Sequence, residues 1–268
     1  MKDKVVVITG ATSGIGKALA YEFARHGSKV VIGARRHELL IEVAEDIKLK
    51  GGDVAFAKMD VSIEADCKNL IFTAVEQFGK IDVLINNAGI SMRARFEDVD
   101  LKVIKKLMDV NFRGTVYCTK YALPHLLKEK GSVVGISSIA GLKGLPGRTG
   151  YSASKFAMKG FMECLRIENL KKGLHVLMAY PGFTSSNIRN SSLTADGSRQ
   201  GESPRDEQKM MSAEEVATHI YRAVKRHRNS LVLTSQGKLT VFLNKFFPNW
   251  MDKMVYREMA KEPDSPFK

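Results

Sequence analysis

An α/β fold built on a doubly wound, Rossmann-type parallel sheet is what this 268-residue sequence predicts. Three observations carry the prediction. Short, β-branched apolar runs alternate with longer segments of helical periodicity, as right-handed crossovers require. The first run, VVVIT at residues 5–9, shows no polar alternation, as expected of a strand buried on both faces. It leads directly into a glycine-rich turn, GATSGIG at residues 10–16, where a helix begins.

The elements follow in order. After the glycine turn a helix continues to His26 and stops at Gly27. Residues 29–33 are a second strand, and residues 37–50 a helix with Leu39, Leu40, Val43 and Ile47 on one face, ended by Gly51-Gly52. Residues 54–58 are a third strand, 63–78 a helix ending at Gly79, and 81–86 a fourth strand. A long helical segment spans 100–130 and is interrupted by Pro124. Residues 132–138 form a fifth strand, 150–172 a helix, and 174–180 a sixth strand closed by Pro181-Gly182. Residues 184–209 are rich in Ser, Asn, Gly, Asp and Arg; a loop this long without secondary structure reads as a lid or as disorder. Ser212 and Glu215 then form a capping box that opens a helix to about His227. Residues 230–235 are a seventh strand. About seven strands in three α/β/α layers result. We expect residues 1–268 to be one domain with a substrate loop at 183–211 and an amphipathic C-terminal extension at 238–268.

Composition narrows the class. The chain is 44% hydrophobic and 26% charged, ordinary for a globular protein with one sizeable core. No apolar run reaches the ~18 residues of a spanning helix. The N-terminal apolar run is too short for a signal-peptide core, so a cytoplasmic location is expected. Cys67, Cys118 and Cys164 are scattered and odd in number, which argues against a disulfide framework and against structural zinc. Net charge is +13, yet residues 199–268 hold 13 Lys+Arg against 9 Asp+Glu. The excess is therefore not concentrated there, no nucleic-acid-binding motif accompanies it, and no nucleic-acid partner is expected.

The chemistry gathers around Tyr151-Ser-Ala-Ser-Lys155. On a helix, Tyr151 and Lys155 lie one turn apart on one face. An ammonium beside a phenol favours phenolate and lowers its pKa from about 10 toward neutral. Such a phenol gives a proton to a carbonyl or takes one from an alcohol. Gly10, Gly14 and Gly16 supply a tight turn at a helix N-terminus, suited to a phosphate. With Thr9 before it, this Thr-Gly-x-x-x-Gly-x-Gly run resembles the glycine motif of the short-chain dehydrogenase/reductase family. The resemblance extends from about residue 4 to 235. Asn86-Asn-Ala-Gly89 matches the family's element after the fourth strand; Ser138, thirteen residues before Tyr151, matches its serine, and Pro181-Gly182 its turn after the sixth strand.

The resemblance implies roles. Tyr151 is the general acid/base, Lys155 lowers its pKa and holds the nicotinamide ribose, Ser138 holds the substrate oxygen, and Asn111 supports a water-linked proton path to Lys155. Cofactor contacts are implied for Gly10, Thr12, Ser13, Gly14, Ile15, Gly16, Asp60, Val61, Asn87, Ala88, Gly89, Tyr151, Lys155, Pro181, Gly182 and Thr184. At the end of the second strand, Arg35 and Arg36 occupy the place of the acid that prefers NAD, and a guanidinium favours a 2′-phosphate. The expected cofactor is NADP(H), with no metal. The expected reaction interconverts a carbonyl and a secondary alcohol, in the reducing direction, on a hydrophobic ketone or 3-oxoacyl-type substrate. Met92, Phe96, Leu142 and Leu145 are candidates for an apolar pocket wall. A steroid- or retinoid-like hydroxyl dehydrogenase is the alternative, and a dinucleotide-binding sensor or scaffold the non-enzymatic one.

The tail places Leu239, Phe242, Leu243, Phe246, Phe247, Trp250, Met251, Met254, Val255 and Met259 at 3- and 4-residue spacing, with Pro248 splitting the run. Three readings stand open: packing on the domain or on a second subunit of a homo-dimer or homo-tetramer, a wall of the substrate pocket, or a peripheral membrane contact through residues 238–259.

Overall fold

The computed structural model describes residues 1–185, 188–189, 191–201, 210–262 and 265–267. Seven parallel strands form one sheet in the order β3-β2-β1-β4-β5-β6-β7. These are β1 Val5–Thr9, β2 Lys29–Ala34, β3 Val54–Lys58, β4 Val83–Asn86, β5 Ser132–Ile136, β6 His175–Tyr180 and β7 Ser230–Val232. The helices are α1 Gly14–Arg25, α2 His37–Leu49, α3 Glu64–Phe78, α4 Leu101–Met108, α5 Gly114–Lys128, α6 Thr149–Glu168, α7 Ala213–Lys225, α8 Ser235–Phe246 and α9 Pro248–Ala260.

Strand alternation sends side chains to two cores. Val6 and Ile8 of β1 point to a core shared with α1, α2 and α7, where Leu19, Phe23, Leu40 and Ile220 are buried. Val5 and Val7 point to the opposite core, with Leu70, Leu126, Met158 and Met162 from α3, α5 and α6. Every residue of β1 is buried, which is why its sequence carries no polar alternation. The strand order reverses between β1 and β4, where a parallel α/β sheet opens a crevice at the carboxyl ends of its strands. The glycine turn after β1 and the Asn87-Ala-Gly89 loop after β4 flank that crevice.

Three local expectations are corrected. Pro124 lies inside α5 and does not interrupt it. The break falls earlier, at a π-helical turn over Asp109–Arg113. Asn111 sits in that turn with its amide engaged on the Ile90 backbone, and the Thr115 hydroxyl donates to the Asn111 carbonyl at 3.1 Å. Side-chain demands of this kind distort a helix where they occur. The seventh strand stops at Val232, short of 235, because Thr234 adopts φ +66° and its hydroxyl accepts from Gly237 N to start α8. The segment expected to be structureless is partly tied down. Leu193 N donates to Ser91 O at 2.9 Å, Arg93 N to Leu193 O at 2.8 Å, and Asp100 N to Ala195 O at 2.9 Å. Of the expected loop, residues 186, 187, 190 and 202–209 lie outside the described residues, as do 263, 264 and 268 of the tail. Pro248 does split the tail, standing at the start of α9.

Candidate active site

A cavity of about 600 Å³ opens above β1 and β4. Its floor is the glycine turn. Gly10 and Gly14 hold φ of +69° and +52°, where a side chain is strained. A Cβ on Gly10 would lie 2.9 Å from Ala88 Cα, and one on Gly16 would strike Gly10 O and Asn87 Nδ2. Thr9 stitches the two loops: its hydroxyl accepts from Asn87 N at 3.1 Å and Ala88 N at 3.0 Å, while Asn87 Nδ2 donates to Thr9 O at 2.9 Å. No described side chain caps the start of α1, and its first turn holds no acid. Its N–H groups and the positive end of its dipole therefore offer a site for an anion.

At one end stand two guanidiniums. Arg36 Nη2 donates to Thr12 Oγ1 at 3.0 Å and Ser13 Oγ at 3.1 Å, which fixes it over the glycine turn. Arg35 is exposed, with Nη1 4.0 Å from Asp60 Oδ2. Asp60 itself accepts from Ser62 N at 2.9 Å and Ser62 Oγ at 2.7 Å and so is held at the rim.

At the other end α6 presents Tyr151 and Lys155, both buried. Burial pushes the Tyr151 phenol above its usual 10, while a hydrogen bond with Ser138 and the positive field of Arg148 pull against that rise. Burial drives the Lys155 ammonium down to about 8. The influences on the phenol in this structure are burial, Ser138 and Arg148, and Lys155 is not among them. Lys155 Nζ donates to Ile136 O at 2.8 Å and stands 5.9 Å from the centre of the Tyr151 ring, and its own shift comes from desolvation. Ser138 caps a 3₁₀ turn over Ile139–Gly141, its hydroxyl accepting from Ala140 N at 3.2 Å.

Of the predicted site residues, Gly10, Thr12, Ser13, Gly14, Ile15 and Gly16 line the cavity, as do Arg35, Arg36, Asp60 and Val61. So do Asn87, Ala88 and Gly89, then Ser138, Tyr151 and Lys155, and finally Pro181, Gly182 and Thr184. Asn111 does not. It is fully buried behind the wall, where Nδ2 donates to Ile90 O and to Ser154 Oγ, each at 2.9 Å, and Oδ1 accepts from Ile90 N at 2.8 Å. It still approaches Lys155 across Gly89: a Cβ there would sit 3.3 Å from Asn111 Oδ1 and 3.4 Å from Lys155 Nζ. Ser154 Oγ in turn donates to Tyr151 O at 2.7 Å. Asn111 therefore braces the first turns of α6 as well as facing Lys155.

The apolar wall differs from expectation. Leu145 lines the cavity; Met92 is buried behind Tyr151, Leu142 packs into the core below the sheet, and Phe96 is exposed. Ile90, Leu193 and Ile188 line the cavity with Leu145. Two residues escaped the sequence reading. Ser154 lies inside the Tyr-x-x-x-Lys window, but nothing local says that its hydroxyl faces Asn111. Arg148 is buried three residues before Tyr151, its Nη1 donating to Met92 O at 2.9 Å and Ser91 Oγ at 3.3 Å. A charged residue at the start of an otherwise functional helix was the available signal.

These features fit a dinucleotide. The turn is one that a Cβ would fill, the uncapped helix end suits a pyrophosphate, and two guanidiniums stand where the second strand ends. Comparison with known proteins agrees. The family model for short chain dehydrogenase matches residues 4–196. The Arabidopsis thaliana protein named 11-beta-hydroxysteroid dehydrogenase-like 4A is 42% identical over 198 residues, which is 73% of this chain and 66% of that protein. The chain thus matches just under two thirds of that relative's length. A short chain dehydrogenase/reductase from Burkholderia phymatum, solved with NAD, superposes with TM-score 0.82 at 25% identity, covering 99% of this chain and 98% of its own. An alcohol dehydrogenase from the archaeon Thermococcus sibiricus, solved with 5-hydroxy-NADP, gives TM-score 0.77 at 25% identity over 87% of this chain and 96% of its own.

Proposed function

This chain belongs to the short-chain dehydrogenase family, and from that premise we propose that it is an NADP(H)-dependent oxidoreductase reducing a hydrophobic ketone or 3-oxoacyl-type substrate to a secondary alcohol. The observation that carries the reading is a buried phenol, hydrogen-bonded to Ser138, in the same cavity as an uncapped helix N-terminus flanked by two guanidiniums.

In this reading the N–H groups opening α1 hold the pyrophosphate, and Arg35 and Arg36 hold a 2′-phosphate. The bound nicotinamide supplies the hydride. The chain's own residues handle the proton and the oxygen. The Ser138 hydroxyl and the Tyr151 phenol both donate to the substrate carbonyl oxygen. Tyr151 gives its proton to that oxygen as the carbon becomes sp³, and the phenolate left behind is stabilised by Arg148 and Ser138. A phenol held above 10 is protonated at neutral pH, which is the form reduction needs. Lys155, with its pKa near 8, is close enough to neutrality to return a proton to Tyr151, and Asn111 braces the helix that carries both through Ser154. Ile90, Leu145, Leu193 and Ile188 give the cavity an apolar side that favours an apolar substrate body. The plant relative's name favours a second reading, a hydroxyl dehydrogenase acting on a steroid-like alcohol.

The test is consumption of NADPH across a panel that includes long-chain ketones, 3-oxoacyl thioesters and ketosteroids. Turnover of ketones or thioesters supports the first reading, and selective turnover of ketosteroids the second. Tight NADPH binding with no turnover on any of them contradicts both and favours a sensor.

Cofactor choice has its own test. Arg35→Asp removes a cation and places a carboxylate where a ribose 2′-hydroxyl would lie. The ratio of kcat/KM for NADPH over NADH is expected to fall by about 100-fold, on the order of the 1.5–3 kcal/mol of a charge-assisted hydrogen bond plus new repulsion. An unchanged ratio contradicts the NADP(H) assignment.

A further inference from the structure

The C-terminal hairpin divides its residues unequally. One side holds it to the protein. Met251 and Met259 are buried, Lys143 Nζ donates to Asp252 Oδ1 at 2.6 Å, and Arg93 pairs with Glu262 at 3.4 Å. The other side is left open. Leu239, Phe242, Phe246, Phe247 and Trp250 are each between 50% and 62% exposed. Leu239, Phe242 and Phe246 recur at three- and four-residue spacing along α8 and form one face, with the Phe242 and Phe246 rings 5.3 Å apart. Phe247 and Trp250 extend that apolar surface through the turn into α9. Within the predicted stripe, Met251 and Met259 are turned inward, Leu243, Met254 and Val255 are half-buried, and Leu239 and the aromatics are turned outward.

The charges on α8 indicate what covers this face. Lys238 and Lys245 are exposed, seven residues apart, on the edge of the stripe next to Phe242. The helix sequence SQGKLTVFLNKF contains no acid. A two-fold dimer through this face would bring the lysines of both copies into one apolar patch with no carboxylate on α8 to answer them. An anionic surface answers both features. Phe and Trp enter the boundary between headgroups and acyl chains, while lysine stems lie along the apolar surface and keep their ammonium groups among the headgroups. Among the described residues no helix is long and apolar enough to cross a membrane, so the contact is one of lying on the surface.

We propose that α8 and the turn into α9 form a reversible docking face for an anionic lipid bilayer. The face lies beside the cavity. Gly237, near the start of α8, packs against Ile139 and Thr234, and Thr234 packs against Gly182 of the cavity rim. A docked molecule therefore brings that rim close to the lipid.

Co-sedimentation of the full chain with phosphatidylcholine vesicles, with and without phosphatidylserine, tests this. The protein is expected to pellet with the phosphatidylserine vesicles and to be released by salt. A Phe242→Ser, Phe246→Ser, Trp250→Ser variant is expected to lose binding by about tenfold or more, because the three rings that would enter the bilayer are removed. Lys238→Glu with Lys245→Glu is expected to lose the preference for phosphatidylserine while retaining the weaker apolar attachment. All five positions are exposed, so both variants are expected to unfold at the wild-type temperature; that scan confirms that lost binding is not lost folding. Wild-type protein that stays in the supernatant overturns the proposal. So does binding that the folded triple variant retains, or a wild-type dimer that the triple variant converts to monomer.

Discussion

Tyr151→Phe is expected to lower kcat/KM by about 10³- to 10⁴-fold, the upper range for a lost general acid. NADPH affinity, followed by fluorescence titration, is expected to change little. The substitution removes a single oxygen. The ring keeps its place against Met92, Leu107, Ala140 and Leu193, so the fold has no reason to respond. What is lost is the proton donor and its hydrogen bond with Ser138. A variant that keeps a tenth or more of the wild-type rate would mean that another group supplies the proton. A variant that also loses NADPH would mean that the phenol belongs to the binding site more than to the reaction.

Lys155→Met is expected to abolish turnover, weaken NADPH binding and, at neutral pH, raise thermal stability. The last effect separates a functional lysine from a structural one. Lys155 is 3% exposed, and its pKa falls from 10.5 to about 8. A lysine with a depressed folded-state pKa costs stability while it is protonated. That cost is full below about pH 8 and disappears as pH rises toward the unfolded value of 10.5. At about 1.4 kcal/mol per pKa unit it amounts to on the order of 3 kcal/mol, and the orphaned Ile136 carbonyl takes back about 1 kcal/mol in the variant. The variant is therefore expected to melt several degrees above wild type at pH 7. The gap is expected to close, and then reverse, between pH 8 and 10. Thermal unfolding of both proteins across that range checks the sign. A variant less stable than wild type at pH 7 would show that the ammonium is held by more attraction than Ile136 O provides.

Much of the fold was readable because its signals are local. A buried parallel strand needs an unbroken apolar run, and a glycine turn needs φ values that only glycine adopts freely, so β1 and residues 10–16 announce themselves. The capping box at Ser212 and Glu215 is formed in both directions for the same reason. The family resemblance, carried by local motifs, also selected residues that meet in one cavity, since Tyr151 and Lys155 lie on one helix and the loops after β1 and β4 lie at one sheet edge.

What was missed depends on burial and on partners distant in sequence. The helix break at Asp109–Arg113 arises from Asn111 reaching Ile90 twenty-one residues away, whereas Pro124 is a signal visible without any partner. The direction of the Tyr151 shift depends on how completely the phenol is desolvated and on Arg148, and a sequence gives neither. Phe96 and Met92 carry similar hydropathy, yet one is on the surface and the other behind the site. The tail's periodicity revealed an amphipathic extension split at Pro248 but not which of its apolar residues would stay uncovered.

The central claim is that this site moves a hydride between NADP(H) and a carbonyl carbon while Tyr151 moves the proton. NADPH carrying deuterium at the transferable position of its nicotinamide ring, incubated with the ketone that turns over fastest, tests it directly. Mass spectrometry of the product is predicted to find a single deuterium on the carbinol carbon with wild-type enzyme, and about 10³-fold less deuterated product in the same time with Tyr151→Phe. NADPH that binds tightly while no product acquires deuterium from any carbonyl offered would contradict the claim.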